Sequence, residues 1–106
     1  MQITFEKDYL KELYEEGRAK NKKYRFQPQL INQYKKTVDI LINAVDTESL
    51  YRFHSLRYEK KQGNLKDIEA VYLNKQYRLL FRTRIEGEEP NSIVICAIED
   101  ISKHYE

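Results

Sequence analysis

The last third of the chain constrains the fold most. Leu65–Leu73, Gln76–Arg84 and Ser92–Ile98 alternate side-chain character with period two, and only short polar stretches separate them. That period predicts β-strands. It puts Ile68, Ala70 and Tyr72 on one face of the first strand, with Glu69, Val71 and Leu73 on the other. In the second strand Tyr77, Leu79 and Phe81 share a face, and Arg78, Leu80 and Arg82 share the opposite one. Asn74-Lys75 suits a two-residue turn, since Asn tolerates positive φ, and the stretch from Gly87 to Asn91 reads as a polar turn. Strands joined this closely must be antiparallel neighbours. Arg78 and Arg82 then stand together on the central strand, and if their face is the uncovered one it is a basic floor. Glu99–Glu106 reads as a polar tail.

The first half supplies a strand and two helices. Met1–Phe5 reads as a short strand with Ile3 and Phe5 on one face. Asp8 is the expected N-cap of a helix over Tyr9–Glu16, where Leu10, Leu13 and Tyr14 form the apolar stripe and Gly17 stops it. Pro28 fits the first turn of a second helix, because its missing N–H has no intrahelical partner there. Ile31, Tyr34, Val38, Leu41 and Val45 then recur at intervals of three and four, a core-facing stripe over four turns. Asp46–Leu50 adds a further helical turn, and Arg52–Asn64 reads as a loop carrying His54, Arg57, Lys60, Lys61 and Gly63. The expectation is an α+β fold of order β-α-α-β-β-β: one domain over residues 1–106, with two N-terminal helices on one face of a small antiparallel sheet.

Composition removes several function classes. The chain has 106 residues, three glycines and one cysteine. Three scattered glycines allow no phosphate-cradling glycine loop. Two histidines 50 residues apart, at His54 and His104, give no metal-binding spacing, and Cys96 lies within an apolar run that suits a buried hydrophobe. The run from Ile93 to Ala97 is far short of the ~20 apolar residues of a membrane span. No apolar leader follows Met1, and a lone cysteine forms no internal disulfide, so the expectation is a cytoplasmic protein with no membrane partner. Nineteen basic side chains stand against 17 acidic ones, unevenly: every charge from Arg18 to Lys36 is positive. Such a run is either a solvated helix connection or a surface for a polyanion or an acidic partner.

Two stretches carry a resemblance. One runs from His54-Ser-Leu-Arg through Gly63-Asn-Leu-Lys to Val71-Tyr-Leu-Asn-Lys-Gln-Tyr-Arg-Leu-Leu-Phe81, and the other is the ending Ile98-Glu-Asp-Ile-Ser-Lys-His-Tyr105. With the element order, they resemble the RelE/ParE toxin superfamily, most closely the HigB branch of type II toxin–antitoxin systems. The resemblance implies a RelE-like fold and a metal-independent, cofactor-free endoribonuclease that cleaves mRNA on the ribosome. It also implies a cognate helix-turn-helix antitoxin as partner. On its motifs Arg78, His104, Asp100 and Tyr105 are the implied catalytic residues, and Lys60, Lys61, Arg57 and Arg82 the implied RNA-binding ones. Tyr72 stands where the family usually has a basic residue, and Asp100 and His104 are separated where the family ending is contiguous. A ParE-like toxin that binds DNA gyrase, or an inactive antitoxin-binding scaffold, are the alternatives.

The chemistry suits these residue types. RNA is cut when its 2′-OH attacks the adjacent phosphate, so the protein must orient the strand, move protons and offset phosphoryl charge. Arg78 suits the last task, being permanently cationic and bidentate towards phosphate. The plainer alternative for Arg78 is a pair with Glu69 on the neighbouring strand. His104 suits proton transfer because its reference pKa of ~6.5 lies near working pH. Tyr105 is a candidate for stacking on a base or for proton transfer.

Overall fold

Two residues that end or begin helices delimit the helical layer. The computed structural model describes residues 1–60 and 67–103. In it helix α1 spans Asp8–Glu16 and closes at Gly17, whose φ of 78° is left-handed and whose N–H reaches the Leu13 carbonyl at 3.1 Å. Glycine takes that conformation without the Cβ clash other residues meet. The cap differs from expectation. Lys7 occupies the N-cap position with no side-chain bond, and Asp8 lies inside the first turn, where its charge favours the helix dipole. Helix α2 begins at Pro28 and runs to Asn43.

Leu30, Tyr34, Thr37, Val38 and Leu41 are the buried face of α2. Tyr34 is fully buried, and its hydroxyl donates to the Leu10 carbonyl at 2.8 Å, tying α2 to α1. Val45 is a correction to the stripe: it is 80% exposed. Ala44 has already left the helical region (φ −77°, ψ 142°), so the helical spacing no longer applies to Val45.

Strands β1 (Gln2–Phe5), β2 (Glu59–Lys60), β3 (Glu69–Tyr72), β4 (Tyr77–Glu86) and β5 (Ile93–Lys103) form one sheet in the order β1-β5-β4-β3-β2. The meander β3-β4-β5 is antiparallel as expected. The sheet as a whole is mixed, because β1 lies parallel to β5 with Gln2 opposite Ile95. The helical turn expected over Asp46–Leu50 is a 3₁₀ turn at Glu48–Arg52; the expected loop over 52–64 contains a second 3₁₀ turn at His54–Leu56 and then β2, which pairs Glu59 with Ala70 and Lys60 with Glu69. Lys61, Gly63 and the first residues of the strand predicted from Leu65 lie outside the described residues.

The polar tail is also corrected, since β5 continues to Lys103. Leu80 pairs with Asp100 and Phe81 with Ile98, so Glu99 is an extra residue at a β-bulge. The bulge explains why strict alternation stops at Ile98. It lets Ile98 and Ile101, three apart, both enter the core.

The core lies between the helices and one sheet face: Leu10, Leu13, Tyr34, Val38 and Leu41 meet Val71, Leu79, Phe81, Cys96 and Ile98. Each fully buried aliphatic side chain contributes about 1.5–3 kcal/mol. Glu69 shares this face, 2% exposed, and its carboxylate accepts the hydroxyls of Tyr58 and, at 2.7 Å, Thr83. The helix-free face is not a purely basic floor. Ile68, Ala70, Ile95 and Ala97 are buried yet stand apart from the helix-side cluster. No helix among the described residues is long and apolar enough to cross a membrane.

Candidate functional site

Arg78 stands at the start of β4, just after the β3–β4 turn. Asn74 shapes that turn: its Oδ1 accepts the N–H groups of Gln76 at 2.9 Å and Tyr77 at 2.8 Å. The half-buried Arg78 folds back on the same turn, donating from Nη1 to the carbonyls of Asn74 at 2.9 Å and Tyr77 at 3.2 Å. The alternative of a pair with Glu69 is not realised, because Glu69 lies opposite Phe81 while Arg78 lies opposite Tyr72. The Arg78 guanidinium carbon is 4.7 Å from the Tyr72 ring centre, and that of Arg57 is 4.5 Å from the same ring. Arg57 reaches there from a left-handed backbone (φ 47°, ψ 47°) that closes the His54–Leu56 turn, its N–H donating to the His54 carbonyl at 3.1 Å. A non-glycine residue in that region carries a conformational cost. Among the described residues neither guanidinium meets a carboxylate, so their remaining N–H donors are available to an anion.

The other described candidates make their contacts elsewhere on the sheet. Arg82 shares the Arg78 face and its Nε lies 2.6 Å from Glu99, so its charge is locally matched. Lys60 is exposed on β2 and lines a cleft of about 340 Å³ with Glu69, Arg82, Arg84 and Glu99. Asp100 stands opposite Leu80, and its described contacts run to the start of α1 rather than to Arg78. It accepts the Tyr9 hydroxyl and lies 3.4 Å from the Lys7 ammonium. The Tyr9 oxygen in turn accepts the Ile101 N–H at 2.9 Å. Burial first, then the Asp100 bond, raises the Tyr9 pKa well above the usual phenol value. His104, Tyr105 and Lys61 lie outside the described residues. Among the described residues no group of three His, Cys, Asp or Glu side chains is arranged to hold a metal ion. Cys96 is fully buried and burial pushes its thiol up to about 12, which suits a packed hydrophobe and not a nucleophile.

The basic connection between the helices is the part that sequence reasoning left as a choice between a solvated linker and a surface. Aromatic rings pin it to the body. The Tyr24 ring stacks on Tyr9 with centres 3.8 Å apart, and Phe26 meets Tyr77 edge-on at 5.5 Å. Lys22–Tyr24 forms a 3₁₀ turn capped by the Asn21 side chain, which accepts the Lys23 N–H at 2.9 Å. A cleft of about 400 Å³ opens here, with Leu13 and Ile31 in its floor and Arg18, Lys20 and Arg25 in its walls. A second cleft of about 190 Å³ shares Arg25 and Phe26 and ends at Asn74 and Tyr77, the turn that holds Arg78. The aromatic residues interleaved in the basic run were the available signal for this arrangement.

A family model, described as the RelE-like toxin of the type II toxin–antitoxin system HigB, matches residues 3–94. The match spans β1 to the start of β5, so Asp100, His104 and Tyr105 fall beyond it. No curated protein matches the chain. Among solved structures, a YoeB/ParE toxin from Agrobacterium tumefaciens aligns over 99% of this chain and 100% of its own, with a TM-score of 0.51 and 12% identity. At that identity the likeness shows the fold, which is RelE-like.

Proposed function

From the premise that the chain belongs to the HigB-like toxin family, and is therefore a toxin of a type II toxin–antitoxin system with an antitoxin as partner, we propose that it is an endoribonuclease that cleaves mRNA on the ribosome and so arrests translation. One observation carries the reading. Arg78 is held at the rim of the helix-free face by two backbone carbonyls, and no described carboxylate neutralises it. A permanently charged, pre-oriented fork of this kind is what a phosphoryl group in a transition state requires.

The proposed reaction uses the chain's own side chains. The RNA 2′-oxygen forms a bond to the adjacent phosphorus and the bond from phosphorus to the 5′-oxygen breaks, leaving a 2′,3′-cyclic phosphate and a free 5′-hydroxyl. One proton leaves the 2′-OH and one is delivered to the 5′-oxygen. His104, with Tyr105 beside it in sequence, is proposed for these transfers. Arg78 offsets the charge that grows on the non-bridging oxygens. Lys60, Lys61, Arg57 and Arg82 are proposed to hold the strand, with Arg82 exchanging Glu99 for phosphate. Asp100 is proposed to act by position: its bonds to Tyr9 and Lys7 anchor the β5 segment that precedes His104. A cytoplasmic location, where the ribosomes are, and a helix-turn-helix antitoxin belong to the same proposal.

The test is cleavage of ribosome-bound mRNA by the purified chain. Arg78→Ala and His104→Ala are each expected to lower the cleavage rate by ~10²–10⁴-fold with a native melt retained. Unimpaired cutting by both variants removes this site. Inhibition of gyrase supercoiling with no RNA cut replaces the nuclease reading with a gyrase-directed one.

A further inference from the structure

We propose that Tyr72 is a positioning residue that holds Arg57 and Arg78 as a two-guanidinium clamp for a single phosphodiester group of the bound RNA strand. The inference rests on the nuclease reading and specifies how its site takes the strand. Three elements converge on one aromatic ring. Arg57 comes from the 3₁₀ turn before β2, Tyr72 from the end of β3, and Arg78 from the start of β4 directly across the ladder. Both guanidinium carbons lie within 5 Å of the ring centre, at 4.5 and 4.7 Å.

Guanidinium groups remain charged at any pH a protein survives, so two of them on one ring repel each other. Contact with the electron-rich ring offsets part of that repulsion and restrains both side chains. An anion bridging the two offsets the rest. A phosphodiester fits: it has two non-bridging oxygens and one negative charge, and each oxygen can take hydrogen bonds from one planar fork. Arg57 takes its left-handed backbone as the residue that closes the His54–Leu56 turn, and from there its side chain reaches this ring. Arg78 has Nη1 committed to the turn carbonyls, so its orientation is set before a ligand arrives.

The test uses the full chain and a short 2′-O-methyl RNA oligonucleotide, which binds but has no 2′-OH to react. Affinity is followed against salt concentration, and the Nε–H NMR signals of Arg57 and Arg78 are followed in parallel. Tyr72→Leu is expected to weaken binding about 10- to 100-fold and to reduce the log–log salt slope by about 0.7, the loss of one phosphate contact on a single strand. Tyr72→Phe restores the ring and is expected to rescue both. Arg57→Gln, at an exposed position that does not test folding, is expected to reproduce the loss of slope.

Wild-type affinity and slope in Tyr72→Leu or Arg57→Gln overturn the clamp, as does a Tyr72→Phe variant as weak as Tyr72→Leu. If the wild type binds the 2′-O-methyl RNA with a slope that Tyr72→Leu reduces, yet cuts no ribosome-bound mRNA, the clamp stands and the nuclease reading fails; if it neither binds nor cuts RNA, both fail. If RNA is cut equally by wild type and Tyr72→Leu, the nuclease reading stands and the clamp fails. Arginine signals that move only on adding the antitoxin also overturn the clamp, because the pair then serves an acidic protein side chain.

Discussion

Replacing Tyr9 with Phe removes one oxygen and tests how the last strand is held. That oxygen donates to the Asp100 carboxylate and accepts the buried Ile101 N–H at 2.9 Å. The ring itself is retained, so its stack on Tyr24 survives. A buried N–H left without a partner costs about 1–3 kcal/mol, and a hydrogen bond to a charged acceptor is worth about 1.5–3 kcal/mol. Asp100 keeps Lys7 and is 37% exposed, which puts its share at the low end. The expected loss is therefore about 2.5–4.5 kcal/mol. At about 5 °C per kcal/mol for a chain of this size, the melting temperature falls by about 12–22 °C. Urea unfolding followed by circular dichroism measures it. A double-mutant cycle with Asp100→Ala should give a coupling energy of about 1–2 kcal/mol, since the two groups share one bond. A loss below about 0.5 kcal/mol, the range of ordinary surface substitutions, or additive single effects would refute the reasoning and release Asp100 from its anchoring role.

Burial raises the Tyr9 and Tyr34 pKa values above the unfolded value of 10.0, so their stabilisation is complete below pH 10 and is lost above it, at about 1.4 kcal/mol per pH unit for each phenol. Cys96, raised to about 12 from 9.0, begins the decline one unit earlier. Urea midpoints should therefore be flat to pH 9 and fall steeply beyond it, and a midpoint unchanged at pH 11 contradicts this. Charge reversal at Lys22 and Lys23 should raise the concentration needed for ribosome binding and flatten its salt dependence. An unchanged slope with weaker antitoxin binding instead assigns that surface to the partner. Gly17→Ala should cost about 1–2 kcal/mol purely through its left-handed φ of 78°, because the added Cβ meets nothing closer than the Lys35 ammonium at 3.9 Å. An unchanged denaturation midpoint would show that the helix end relaxes.

What could be read from the sequence was what local periodicity encodes. Tyr34, Val38 and Leu41 announce the buried side of α2 by their spacing, and Tyr77, Leu79 and Phe81 announce the covered face of β4. The two-residue period also put Arg78 and Arg82 on one face. Pairings between distant segments have no such signature. Nothing near Met1 indicates that β1 will lie parallel to β5, and nothing near Glu99 indicates a bulge until the Ile98–Ile101 spacing is seen inside a core. At the site, Arg78 was legible from its motif. Its neighbours were not, because the Arg57–Tyr72–Arg78 contact depends on a left-handed backbone and on strand register.

The parallel pairing of β1 with β5 has a consequence for biosynthesis. Gln2 to Phe5 are made well before the residues they pair with, Ile95 to Ile98. β4 likewise awaits β5 along ten residues of ladder. Strand pairings this far apart in the chain close late and slowly. During translation the helices and the β3–β4 hairpin emerge with β1 unpaired, and the sheet is completed only when β5 clears the exit tunnel. Until then the nascent chain carries open edges on β1 and β4, the kind of edge that invites pairing with another chain.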